Sequence, residues 1–291
     1  MADASFEEIA SFWKGQLSGA VPELVSTEPE PAFSTASGKA QTVFWKAEDG
    51  QVLKARMLES ARISPLAVVC AFHDGGRPVR GWHHLGRWLA LGCAVLSPER
   101  RFWSEDVCEG YVAGAPASLA LIRQEKDAAE AMLLARRLFP SVPLIVYGEG
   151  LGAGLGVAAA GALEGRGADL FCILNPLPCA LRRVWEKGMP EGIASGLTRY
   201  FREKDPLAKM SDDLFRTLSY AQAEACAPAI GAPVLFGTSG LDSVTPPEAQ
   251  DVLASALSGP VTRNVYPRWA HERVNAFEDT TFSFVSSWLM S

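Results

Sequence analysis

No apolar run in this sequence approaches the ~20 residues that a membrane-spanning helix requires, which excludes a conventional span and a membrane partner. Basic residues are not in excess either: 27 Lys and Arg stand against 33 Asp and Glu, for a formal charge of -6. A surface that neutralises phosphates is therefore not on offer, and nucleic acid is excluded as a partner. The six cysteines (Cys70, Cys93, Cys108, Cys172, Cys179, Cys226) show no CxxC spacing, and Cys70, Cys93 and Cys172 lie inside apolar strand-like runs. Buried, reduced thiols are the expectation, with no metal site and no cofactor. The segment "MADASFEEIASFWKGQL" carries acids where an export signal would carry bases, so a cytoplasmic protein is expected.

What is present is a core-forming composition, 48% apolar and 21% charged, in 291 residues. That length suits one large α/β domain over residues 1–291. Residues 1–40 read as an amphipathic helix, with Phe6, Ile9, Phe12, Trp13 and Leu17 on one face, followed by the linker "STEPEPAFSTASG". "TVFWKA" and "VLKARML" flank "EDG", a hairpin signal. From residue 66, apolar strands alternate with helices: "LAVVCAF", "CAVLSPE", "LIVYGE", "DLFCILNP", "APVLFGTSG" and "TRNVYP" are the strands. Strands apolar at nearly every position belong to a mostly parallel sheet with helices on both faces. Residues 177–231 break the rhythm and read as a helical insertion over the sheet's carboxyl edge.

The informative turn is "GEGLGAG", residues 148–154, where a strand meets a helix. Gly148, Gly150 and Ala153 fit GxGxxA, a dinucleotide fingerprint. That fingerprint normally follows the first strand of its sheet and wants an acid after the next strand, whereas several strands precede this one and "LFCILNP" ends in Asn175 and Pro176. Dinucleotide binding is thus the remote alternative. The other pattern is GxSxG, a sharp turn that projects a nucleophile above the sheet, with Gly150 where the serine would stand.

Downstream residues favour that second pattern. Asp242, in "GTSGLDSVTPP", follows one strand and His271, in "YPRWAHE", follows the last, giving the chain order nucleophile position, acid, histidine. Upstream, "FHDGG" at 72–76 follows the first core strand, where Gly75 N–H and Leu151 N–H are the candidate oxyanion donors. His83 and His84 lie on the next helix and are read as structural.

These segments, with "FEEIASFWKGQL", "RRVWEKG", "YFREKDP" and "VYPRWAHE", resemble carbohydrate esterase family 7, the acetyl xylan esterases and cephalosporin C deacetylases. The resemblance implies an α/β-hydrolase fold, a small acetylated sugar or other small ester as ligand, and a homo-oligomer. Three departures stand out: Gly75 for the tyrosine of His-Gly-Tyr, "ERR" at 99–101 for Arg-Gly-Gln, and Gly150 for the nucleophilic serine. Glycine offers no oxygen, so ordinary acyl transfer would be disabled or strongly impaired. The alternatives are an active ester hydrolase working through a water activated by His271, or a form of an enzyme that carries serine at 150. Gly150→Ser is the discriminating change: activity only in the serine form means a preserved triad geometry lacking one oxygen, and inactivity in both means a pocket turned to binding or scaffolding.

Overall fold

In the computed structural model, which describes residues 3–101, 106–164, 167–188 and 190–291, the apolar runs become one nine-stranded sheet. Helix α1 (Phe6–Gln16) opens the chain, its first turn closed by a capping box between Ser5 and Glu8. Strand β1 (Glu23–Pro29) follows, so part of the expected linker is ordered. Leu24 and Thr27 pair with Trp45 and Val43 of β2, which orders a segment whose local composition reads as loop. β2 (Gly38–Lys46) and β3 (Val52–Ser60) form the expected antiparallel hairpin.

The remaining elements alternate as expected. They run β4 (Ala67–Phe72), α2 (Trp82–Leu85), β5 (Cys93–Pro98), α3 (Ala120–Leu138), β6 (Leu144–Glu149), α4 (Leu151–Ala162) and β7 (Leu170–Leu174). Four short helices then intervene, α5 (Leu181–Lys187), α6 (Ser195–Glu203), α7 (Ser211–Leu218) and α8 (Ala223–Cys226), at the position of the expected insertion. β8 (Val234–Ser239), α9 (Pro247–Ala256), β9 (Val261–Tyr266) and α10 (Asn275–Leu289) complete the chain.

Strand order is β1-β2-β3-β5-β4-β6-β7-β8-β9, antiparallel as far as the β3–β5 pair and parallel from there. Every residue of β4, β6, β7 and β8 is buried. Period-two alternation divides these side chains between two cores. Val68, Cys70, Phe72 and Val146 face the layer built from α1, α3, α4, α8 and α9. Val69, Ala71, Ile145 and Tyr147 face the layer built from α2 and α10. Each large aliphatic side chain so buried stabilises the fold by ~1.5–3 kcal/mol. Among the described residues the six cysteines are free thiols, five of them buried and Cys108 partly so.

This two-sided layering matches the architecture that the resemblance implies. Its consequence for chemistry is positional. Parallel strands end together, so the loops after β4, β6, β8 and β9 meet at one edge of the sheet.

Candidate active site

The turn after β6 is sharp because Gly150 adopts φ 53° and ψ −124°, a left-handed region that disfavours side chains. Its N–H donates to Leu174 O at 2.9 Å, and its carbonyl accepts from Ala153 and Gly154 N–H, starting α4. Gly152 packs against the backbone at the end of β4, where a Cβ would come within 2.5 Å of His73 O. The elbow and the β4 loop are therefore pressed together.

Gly150 is not empty for lack of a neighbour. A Cβ built on it would lie 1.7 Å from Asp74 Oδ1, so the carboxylate of Asp74 occupies the space that a residue-150 side chain would take. That carboxylate is firmly held. Oδ1 accepts from Gly75 N–H at 2.7 Å and from Leu151 N–H at 3.0 Å, the two predicted oxyanion donors, which converge on this one oxygen. Oδ2 faces His271 Nε2 at 3.2 Å. The Asp74 backbone carbonyl accepts from Arg100 Nη2 at 3.0 Å, which gives the "ERR" segment a role in shaping the loop.

Asp242 and His271 come together as the sequence predicts. His271 Nδ1 lies 2.8 Å from Asp242 Oδ2, while Asp242 Oδ1 accepts from Val244 and Thr245 N–H, both at 2.9 Å. Backbone bonds tie the two loops: Leu241 N–H donates to Trp269 O and Gly240 N–H to Tyr266 O. Asn175 bridges strand ends, its side chain bonding the hydroxyl and the N–H of Ser239.

The electrostatics follow from two carboxylates on one imidazole. Burial works against charge on His271, but the hydrogen bonds and negative charges of Asp242 and Asp74 outweigh it and raise the pKa from 6.5 to about 9. Burial likewise opposes ionisation of Asp74. The His271 contact and the Leu151 and Gly75 N–H groups prevail, holding its carboxyl below the ordinary value. Both shifts favour the charged pair, an Asp74 carboxylate facing a His271 imidazolium.

Expectation and structure part at two residues. Gly150 stands at the nucleophile position, but a serine there requires the Asp74 carboxylate to move, because its Cβ would collide with Asp74 Oδ1. Asp74, for which no role is read from the sequence, is the side chain that stands where a residue-150 side chain would. Its signal is an acid inside "FHDGG" where the resembled His-Gly-Tyr has glycine, paired with glycine where the resembled elbow has serine. Glu149 is also unforeseen: it is 5% exposed, ion-paired with Arg80, and accepts from Tyr147 OH at 2.6 Å, anchoring the elbow from below. His84 approaches Glu278 at 3.9 Å, outside the site, and burial with nearby Arg87 and Arg80 lowers its pKa to about 4.

Comparison with known proteins supports the architecture over the full chain. The family model described as acetyl xylan esterase matches residues 2–288. Acetyl xylan esterase from Paenibacillus sp. R4 superposes with a TM-score of 0.87 at 22% identity, covering 99% of this chain and 96% of that one. Acetyl xylan esterase 1 from Thermoanaerobacterium sp. JW/SL YS485 gives 0.85 at 20% identity, covering 100% and 95%. Brefeldin A esterase, a bacterial homologue of human hormone-sensitive lipase, gives 0.58 at 18% identity over 99% and 86%. No curated protein matches. The fold is that of the α/β-hydrolase esterases.

Proposed function

Because the chain belongs to the acetyl xylan esterase family, we propose that it is an α/β-hydrolase directed to small acetylated sugars or related esters in which serine-type acyl transfer is switched off. One observation carries this reading: the Asp74 carboxylate fills the space above Gly150 and takes both N–H groups that would stabilise an ester's developing oxyanion. An ester carbonyl has neither an attacking hydroxyl nor a free cradle.

The water-based alternative is opposed by the same geometry. A general base must accept a proton, and His271, held near pKa 9 between two carboxylates, is already protonated at neutral pH. The GxGxxA alternative fares no better. Leu151 N–H, which would have to meet a pyrophosphate at the start of α4, points at an aspartate.

The test is acetyl-ester hydrolysis by the unmodified protein, by Gly150→Ser and by the double variant Asp74→Gly/Gly150→Ser. The unmodified protein and the single variant are expected to be silent, and the double variant to gain at least about a hundredfold. Losing the nucleophile in a serine hydrolase costs up to ~10⁶ in turnover, so even a poorly aligned serine is detectable. Turnover by the unmodified protein that survives purification controls would refute the proposal.

A further inference from the structure

Asp74 does more than block. Nucleophile, histidine and acid need only be arranged in space, whatever loop supplies each, and here a carboxylate stands in the nucleophile's place with His271 and Asp242 behind it. We propose that Asp74 is a nucleophile, attacking the carbon of a small, neutral, strained cyclic ether of the epoxide class and forming an alkyl ester that the same site then hydrolyses. The inference rests on the reading that this site performs no serine-type acyl transfer.

Three features point this way. The carboxylate is oriented so that its two oxygens differ. Oδ1 is fixed by the Gly75 and Leu151 N–H groups, and Oδ2 keeps a lone pair beside His271. It is ionised, as attack requires. The side chains of Asp74 and His271 also keep 10% and 16% of their surface exposed, at the edge of the sheet where the loops meet.

The electrophile class follows from the proton balance. Oδ2 attacks a ring carbon; the new C–O bond forms as the ring C–O bond breaks, and its electron pair goes to the ring oxygen. That alkoxide takes the proton from His271 Nε2. Asp74 is now a neutral ester, one of the two charges that keep His271 protonated is gone, and the imidazole has become a free base. His271 then takes a proton from water, whose oxygen attacks the ester carbonyl carbon. The negative charge develops on Oδ1, where Gly75 and Leu151 N–H already point. Collapse releases the alcohol, which takes the proton from His271, and the new Asp74 carboxyl returns its own. The net reaction is epoxide plus water to diol. An alkyl halide fits less well, because a departing halide needs no proton and would leave His271 charged and unable to activate water.

The test uses the full chain with propylene oxide in heavy-oxygen water, quenched in acid and digested. Diol formation, a transient ester on the peptide bearing Asp74, and heavy oxygen in the Asp74 carboxylate are expected, with all three lost in Asp74→Asn. Labelling of the unmodified protein is read directly, so the result does not depend on how the variant folds. Absence of both diol and label, or an ester confined to another carboxylate, would overturn the proposal. Acetyl-ester turnover by the same preparation is scored separately. It would contradict the esterase-silent reading whatever the epoxide result, and a missing epoxide signal leaves that reading intact.

Discussion

The Asp74 carboxylate in its present position and a side chain at position 150 cannot share the same space, since 1.7 Å separates the aspartate oxygen from a Cβ built on Gly150. Gly150→Ser alone is therefore expected to destabilise. It forces a non-glycine residue into a positive-φ elbow, at ~1–3 kcal/mol, and displaces a buried carboxylate from its donors. Denaturant melts of the single and double variants check this, with the double variant the more stable of the two. His271 gives a second residue-scale prediction. Its folded pKa is raised from 6.5 to about 9, so its stabilising contribution is fully present below pH 6.5 and is lost as pH rises towards 9. The full swing is on the order of 3 kcal/mol, at 1.36 kcal/mol for each of the roughly 2.5 pKa units. Unfolding free energies across that window should fall in the unmodified protein and stay flatter in His271→Gln.

The β4 loop, more than the elbow, decides the site. Its course is fixed by Arg100 holding the Asp74 carbonyl and by the contact of Gly152 with the β4 end. Arg100→Ala should cost ~1.5–3 kcal/mol, the range for a hydrogen bond that involves a charged group, and should loosen Asp74 from His271. Chemical denaturation reads the first effect, and a drop in the His271 pKa reads the second. Element by element, the helices and strands after residue 66 were legible because burial on both faces writes itself as unbroken apolar runs. β1 was not, because an exposed edge strand gains its order from a partner and its composition mimics a linker. Asp242 and His271 were legible from their order and strand ends. Asp74 was not, because the clash that defines its role lies between residues 76 positions apart and depends on where a loop folds back.

Across the whole molecule, the sheet brings four loops to one edge, and that convergence lets a nucleophilic group be supplied from β4 where a serine hydrolase supplies it from β6. The acetyl xylan esterase fold is retained at 20–22% identity to two solved relatives, and within this chain the acid loop and the histidine loop meet, with His271 Nδ1 2.8 Å from Asp242 Oδ2. The central claim is that Asp74, His271 and Asp242 form one charged unit at that edge. The measurement that bears on it most directly is an NMR titration of the His271 imidazole in the unmodified protein and in Asp74→Asn. The account predicts titration near pH 9 in the first and a clear shift towards the ordinary 6.5 in the second. Titration at the same pH in both proteins would contradict it.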